Sequence, residues 1–381
     1  MARKCGTNDK LAACRIAWLR ARRVLLTSAL VLLILYSSFN SSGNLQNNPA
    51  TLSWHKQAVS TLTRLTCVFF IDAQRGWAGG NNGLLLKTED GGVTWQRLSL
   101  PAQFSRDLLR DVWAFDAQRL RLMGEYDLTQ RPTSAELDTR AFLLASDDGG
   151  ASWQEVELAR PPDKPLRRPR PRAAIENEQD QFLRLSSPIL VSFVFSKTLT
   201  GWLVGESGTI QTTRDGGASW QMQYATSRKL FYDVSAIDAQ QAWLVGGGGV
   251  ILRTVDGGSN WNEQPSVTMQ SLRAVYFIDA KRGWAVGAGG AIVATLNGGN
   301  RWQNQNSNTT QTLNDVCFIN ASEGWAAGER GTLLHTRDGG TTWQDESLKT
   351  YASLNKLFFV APDCGWVVGA NGSIFKYGSP R

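Results

Sequence analysis

The strongest constraint on this chain is tryptophan recurring at a fixed step. Gly-Trp or Ala-Trp falls at Trp202, Trp243, Trp284, Trp325 and Trp366, each 41 residues after the last. A second series keeps that step at Trp220, Trp261, Trp302 and Trp343. The segment GWAAGERGTLLHTRDGGTTW at 324–343 returns as GWLVGESGTIQTTRDGGASW at 201–220, and more loosely at 242–261 and 283–302. A unit this short cannot bury an apolar face by itself, so the repeats must pack on one another.

Each unit reads as four strands. A run such as Leu272–Ile278 supplies the first, Gly-Trp-Ala-Val-Gly the second, the stretch after the next glycine the third, and Trp-Gln opens the fourth. Turn residues separate them at short spacing, and four strands in 41 residues make one propeller blade. Counting back from Trp95 by the same step lands on Trp54, so the segment around Ser53–Gln57 is expected to complete the last blade. Its companions are expected at 356–360, 365–369 and 373–377. The fourth-strand tryptophans are then Trp54, Trp95, Trp153, Trp220, Trp261, Trp302 and Trp343. The expected fold class is all-β: a seven-bladed β-propeller of Asp-box repeats, closed by a strand exchange that removes both open sheet edges.

Between the third and fourth strands the chain has the form [Ser/Thr]-x-Asp-x-Gly-x-[Ser/Thr/Asn]-Trp. It is complete at 88–95, 146–153, 213–220, 254–261 and 336–343, with Asn297 replacing the aspartate in the fifth blade. Aspartate accepts backbone N–H bonds in a turn and glycine supplies positive φ. Asp90, Asp148, Asp215, Asp256 and Asp338 therefore read as structural, because one carboxylate per blade at a fixed turn position is not the pattern of a catalytic pair or a calcium site.

Ahead of the repeats, basic Arg20-Ala-Arg22-Arg23 precedes the apolar run Val24–Tyr36, and polar residues follow. Residues 1–23 read as a basic cytoplasmic segment, 24–39 as a membrane anchor or signal helix, 40–50 as a linker and 51–378 as the propeller. An uncleaved transmembrane anchor is preferred to a cleaved signal. No A-x-A-like site follows the run, and Ile16–Leu19 can lengthen a tilted helix. Leu11-Ala12-Ala13-Cys14 spells a lipoprotein box but precedes the apolar run, where processing would not use it. Most of the net charge of +7 resides in this leader, since residues 1–39 hold seven Lys/Arg against Asp9. The rest is close to neutral, which gives no case for nucleic acid. No CxxC spacing occurs, and His55 and His335 are the only histidines, so no metal or cofactor is expected. Cys67 and Cys364 can pair if the first and last blades meet; buried free thiols are the reading preferred.

Blade two is irregular, and irregularity on a regular scaffold is where function often sits. Insertions are expected at 125–140, between its second and third strands, and at 160–185, before blade three. In an up-and-down blade both emerge on the face opposite the Asp boxes. The second begins Arg160-Pro-Pro-Asp-Lys-Pro-Leu-Arg-Arg-Pro-Arg-Pro-Arg172, an extended basic arm in which Arg167, Arg168, Arg170 and Arg172 are candidate partner contacts. Arg110 and Arg273, near the starts of two first strands, are expected to add positive charge at the channel mouth. Glu125, Glu206 and Glu329 follow the glycine that closes a second strand, on that same face.

With its GW-x-[VA]-G…G…T-x-DGG-x-[TS]-W repeats behind a membrane-targeting segment, the chain resembles the photosystem II stability/assembly factor family over roughly residues 50–378. The resemblance implies a membrane-anchored, extracytoplasmic propeller, in the periplasm or thylakoid lumen. It further implies a non-catalytic assembly scaffold for a membrane-protein partner such as a photosystem II reaction-centre subunit. The alternative is an envelope glycan-binding or sialidase-like glycosidase propeller. Against it, the chain has no Phe/Tyr-Arg-Ile-Pro motif and no convincing carboxylate pair outside the turns.

Overall fold

The computed structural model describes residues 52–127, 140–159, 189–224 and 229–379. The expected anchor helix lies outside them. Among the described residues, no helix is long and apolar enough to cross a membrane.

Those residues form seven four-stranded antiparallel sheets, six of them joined in sequence order from the innermost strand outward. Blade five is typical, with strands Leu272–Phe277, Gly283–Gly287, Ile292–Thr295 and Gln303–Gln305. Innermost strands of adjacent blades touch all the way round, blade seven against blade one included. The last blade is assembled from both ends of the propeller. Leu354–Ala361, Cys364–Gly369 and Ile374–Gly378 are completed by Ser53–Lys56, with Trp54 opposite Tyr377. Covering the last sheet with an early strand leaves neither end of the ring as a free edge.

What binds one blade to the next is an aromatic staple. In four of the seven joints, the tryptophan of the second strand lies flat against a phenylalanine from the innermost strand of the following blade. Trp243 meets Phe277 at 3.7 Å and 9°, Trp284 meets Phe318 at 3.5 Å and 10°, and Trp366 meets Phe70 at 3.4 Å and 8°. The far side of each phenylalanine receives the fourth-strand tryptophan edge-on, as with Trp302, Trp343 and Trp95. The indole N–H then donates to the Asp-box turn of that following blade: Trp243 to the Gly298 carbonyl and Trp284 to that of Gly339, both at 3.0 Å. The flat contacts contribute burial, and the edge-on ones add the favoured T-shaped geometry, about 0.5–1.5 kcal/mol per pair beyond the area term.

The same phenylalanine explains the glycine before the tryptophan. A Cβ on Gly283 would stand 2.5 Å from the Phe277 ring. Where the innermost strand ends in alanine instead, at Ala114 and Ala236, the paired residues are Leu120 and Ala242. The Gly-Trp and Ala-Trp variants of the repeat are thus one packing rule. Removing an indole from this seam should be costly: Trp284→Ala should lower unfolding free energy by about 3–5 kcal/mol in urea titrations, and a loss below 1 kcal/mol would contradict the staple.

Candidate functional site

The Asp-box carboxylates close their turns. In blade one, Thr88 Oγ1 accepts the Gly92 N–H at 2.8 Å and donates to Asp90 Oδ1 at 2.9 Å, while Asp90 accepts the Thr94 N–H and hydroxyl at 2.9 and 2.6 Å. Gly91 and Gly92 take φ of 70° and 90°, as the hairpin requires. Asp148, Asp215, Asp256 and Asp338 repeat this arrangement. Asn297 keeps it with one oxygen, accepting from Thr295 Oγ1 and the Arg301 N–H. The Ser152 hydroxyl, followed by its N–H, draws Asp148 down to about 2.

Chemistry of another kind collects at the axis. Every innermost strand carries a β-bulge one residue in, as between Leu109 and Asp111 or Leu272 and Ala274. A bulge adds one residue and re-aims its side chain. The seven extra residues are Thr66, Arg110, Val191, Tyr232, Arg273, Asn314 and Asn355, and all line one cavity of about 270 Å³. Below them Asp111, Asp233, Asp315 and Lys356 line the same cavity, and Arg64 and Glu206 stand at its edge.

Much of this ring latches blade to blade. Asp233 Oδ2 accepts the Val275 N–H at 2.9 Å, and Asp315 Oδ2 accepts that of Leu357 at 2.7 Å. Asn314 and Asn355 donate to the Leu354 and Leu65 carbonyls at 2.9 and 2.6 Å. Lys356 reaches Asp315 at 3.6 Å. Burial pushes Asp111 and Asp315 up to about 6; Lys356 opposes that rise, and the Asp233 charge adds to it. Lys356 itself is pushed up because the attraction of Asp315, Asp233 and Asp111 outweighs its burial.

The proposed arginines fare differently. Arg110 lines the mouth but is ion-paired with Glu125. Arg273 lines it too; it is exposed and, among the described residues, has no hydrogen-bond or ion-pair partner. Arg167, Arg168, Arg170 and Arg172 lie outside the described residues, as do most of both insertions. Glu206 binds Arg140 at 3.0 Å, so two of the three face glutamates serve arginines. Arg64, Lys356 and the three ring aspartates were not singled out from sequence. The aspartates and Lys356 share a repeat position two residues after the leading Leu or Phe, whereas Arg64 stands just before Leu65. Cys67, Cys317 and Cys364 are free thiols; burial pushes Cys317 up to about 12. Among the described residues, no group of three or more His, Cys, Asp or Glu side chains is placed to hold a metal.

These features define a closed Asp-box β-propeller with one charged axial mouth. The chain belongs to the photosynthesis system II assembly factor YCF48 family, whose profile matches residues 46–167, 172–271, 266–351 and 308–378. Among solved structures, YCF48 bound to D1 peptide is 23% identical, with a TM-score of 0.64 over 88% of this chain and 99% of that one. YCF48 from Cyanidioschyzon merolae is also 23% identical, with a TM-score of 0.63 over 86% and 99%. A catalytically inactive virginiamycin B lyase from Staphylococcus aureus shares the propeller at 10% identity and a TM-score of 0.64 over 86% and 99%. Comparison with curated proteins returned no match.

The raised ring carboxyls make a signed prediction. A folded-state value near 6 against an unfolded one near 4 gives a stabilising contribution that is full below about pH 4 and lost as pH rises through about 6. The Asp111→Asn/Asp315→Asn variant should therefore lose less stability than wild type between those values in urea titrations. Parallel pH profiles would show that the ring does not titrate there.

Proposed function

We propose that this chain is a non-catalytic assembly or stability scaffold, tethered to a membrane by residues 24–39 with its propeller on the extracytoplasmic side. Its partner is a membrane-protein subunit, of the photosystem II reaction centre if the source is phototrophic, held at the axial mouth. The observation that carries this reading is the mouth itself: a polar cavity rimmed by Arg64, Arg110 and Arg273, in a chain of the YCF48 family. A YCF48 propeller of the same fold has been solved with D1 peptide, which points to a peptide segment as the class of ligand. Arg167, Arg168, Arg170 and Arg172 are proposed as further contacts to the same partner. Arginine suits this task because its fork meets carboxylates in two directions and stays charged at every relevant pH.

A glycosidase reading finds little to build on. Glu125 and Glu206 are engaged by Arg110 and Arg140, and the ring aspartates are tied to backbone N–H groups.

Detergent extracts of the native membrane should yield a specific membrane subunit with the full chain. Arg110→Ala/Arg273→Ala should weaken that capture, and the affinity for a D1 peptide, by about tenfold or more, since hydrogen bonds to charged groups contribute about 1.5–3 kcal/mol. The affinity should also fall with salt. Replacing Arg167, Arg168, Arg170 and Arg172 with Ala tests the arm separately. Undiminished capture by both variants would refute the arginine-based site.

A further inference from the structure

The three most exposed large apolar side chains among the described residues share one repeat position. Leu62 is 84% exposed, Met269 90% and Tyr351 95%. Each lies three residues before the start of an innermost strand, at Leu65, Leu272 and Leu354. Four residues beyond each of them, the same segments deliver Thr66, Arg273 and Asn355 to the axial cavity. Repeat-equivalent positions in a propeller stand at one level about its axis, so the three form part of a collar outside the mouth, on blades one, five and seven. Between two of them, blade six offers exposed, uncharged Thr310. Blade two has Arg106 at this place, and the counterparts in blades three and four lie outside the described residues.

Scattered surface leucines need no explanation. Three apolar groups at one register position beside an arginine-lined cavity do. Their exposure contributes nothing to folding, and tyrosine, methionine and arginine are the types enriched in protein interfaces. The charge pattern chooses the occupant. Arg64 and Arg273 at the rim favour a carboxylate. The polar cavity below, with Asp111, Asp233 and Asp315 partly offset by Lys356, needs a polar group or water facing it. A flat bilayer across the collar would seal those carboxylates beneath hydrocarbon or anionic headgroups. A protein segment can enter the cavity and still rest on the collar.

We propose that the collar of Leu62, Met269 and Tyr351 and the arginine rim form one bipartite docking surface, occupied by a partner segment that carries apolar side chains beside an acidic group. This rests on the mouth being the partner site, and adds what the partner must present there. The collar supplies the part of the affinity that salt does not weaken, and it sets preference among acidic segments.

The test uses the full chain in nanodiscs and fluorescence anisotropy with two probes: a labelled D1 peptide, and the same peptide with its apolar residues changed to serine. The variant Leu62→Ser/Met269→Ser/Tyr351→Ser alters only exposed side chains, and circular dichroism checks its fold. It should bind the D1 peptide about tenfold or more weakly, with an unchanged salt slope, and bind the serine peptide as wild type does. Equal binding of the D1 peptide by wild type and collar variant overturns the collar while leaving the arginine site standing. Binding of neither probe by wild type removes the mouth reading and the collar together. Collar-dependent hydrogen-exchange protection on phosphatidylglycerol nanodiscs without peptide also overturns the proposal, by assigning the collar to lipid.

Discussion

The seating of one large second-strand side chain against the next blade, a flat indole–phenyl contact in four of the seven joints, is the constraint on which this propeller depends. A four-stranded sheet of this size has two faces to cover and little inside itself to bury. The core accordingly lies between sheets: one buried cluster joins Trp284 and Val286 of blade five to Val316, Phe318 and Trp343 of blade six. The staple also fixes height and rotation, because the indole N–H must reach a turn carbonyl of the next blade while its ring stays parallel to the phenylalanine. Repetition in the sequence is thus the repetition of a joint. Closing the ring demands that the joint also work between blade seven and blade one, where Trp366 stacks on Phe70 and donates to the Gly91 carbonyl.

The mouth follows from a second repeated device, the bulge in each innermost strand. Seven strands converging on an axis leave little room, and a bulge turns one side chain per blade toward the opening while the next residue reaches the neighbouring strand. Most polar groups placed this way are consumed at once: an aspartate takes the N–H of the following blade, and an asparagine gives its amide to a carbonyl. That use separates architecture from function at the site. Asp233 and Asp315 are latches whatever else they do, Arg110 is held by Glu125, and Arg273 is the bulge arginine left to face solvent. Burial in this narrow cavity raises the Asp315 carboxyl, which makes its ionisation sensitive to what enters above it.

Blade number, strand order and closure through Trp54 were legible because each rests on local spacing that the staple imposes. Asp-box chemistry was legible for the same reason, since each turn is closed by residues within four positions of its aspartate. The axial ring was harder to see. Cys67, Asp111, Ser192, Asp233, Ala274, Asp315 and Lys356 hold equivalent places, yet their chemistries differ, so no motif marks them. Their meaning appears only when seven strands meet at one axis. Arg110 and Arg273 were found by their place at the start of a strand, but the pairing of Arg110 with Glu125 crosses two strands and is set by the extended ladder of blade two. Thr66, Asn314 and Asn355 were missed because a polar residue near a strand end ordinarily faces water, whereas here each bonds a backbone carbonyl of the next blade.

Blade two shows how far the joint can be altered without opening the ring. Its second strand has Arg121 where the repeat has tryptophan, and Leu120 where it has glycine. The arginine is 8% exposed, and its Nε donates to the Gly216 carbonyl at 2.8 Å, the turn carbonyl an indole N–H reaches in other blades. Its guanidinium lies 5.7 Å from the ring of Phe115 in the same blade, and that ring meets Phe195 of the next blade edge-on at 4.9 Å. Trp113 moves in from the innermost strand and meets both Phe69 and Phe195. The arginine thus supplies the bond that the indoles of Trp243, Trp284 and Trp366 supply, whereas the buried indole N–H groups of Trp77, Trp202 and Trp325 have no hydrogen-bond partner among the described residues. A blade held by a directional bond and a replaceable aromatic contact can keep its register while its loops change length. This blade, whose Arg110 lines the mouth, thus departs from the repeat without opening the ring.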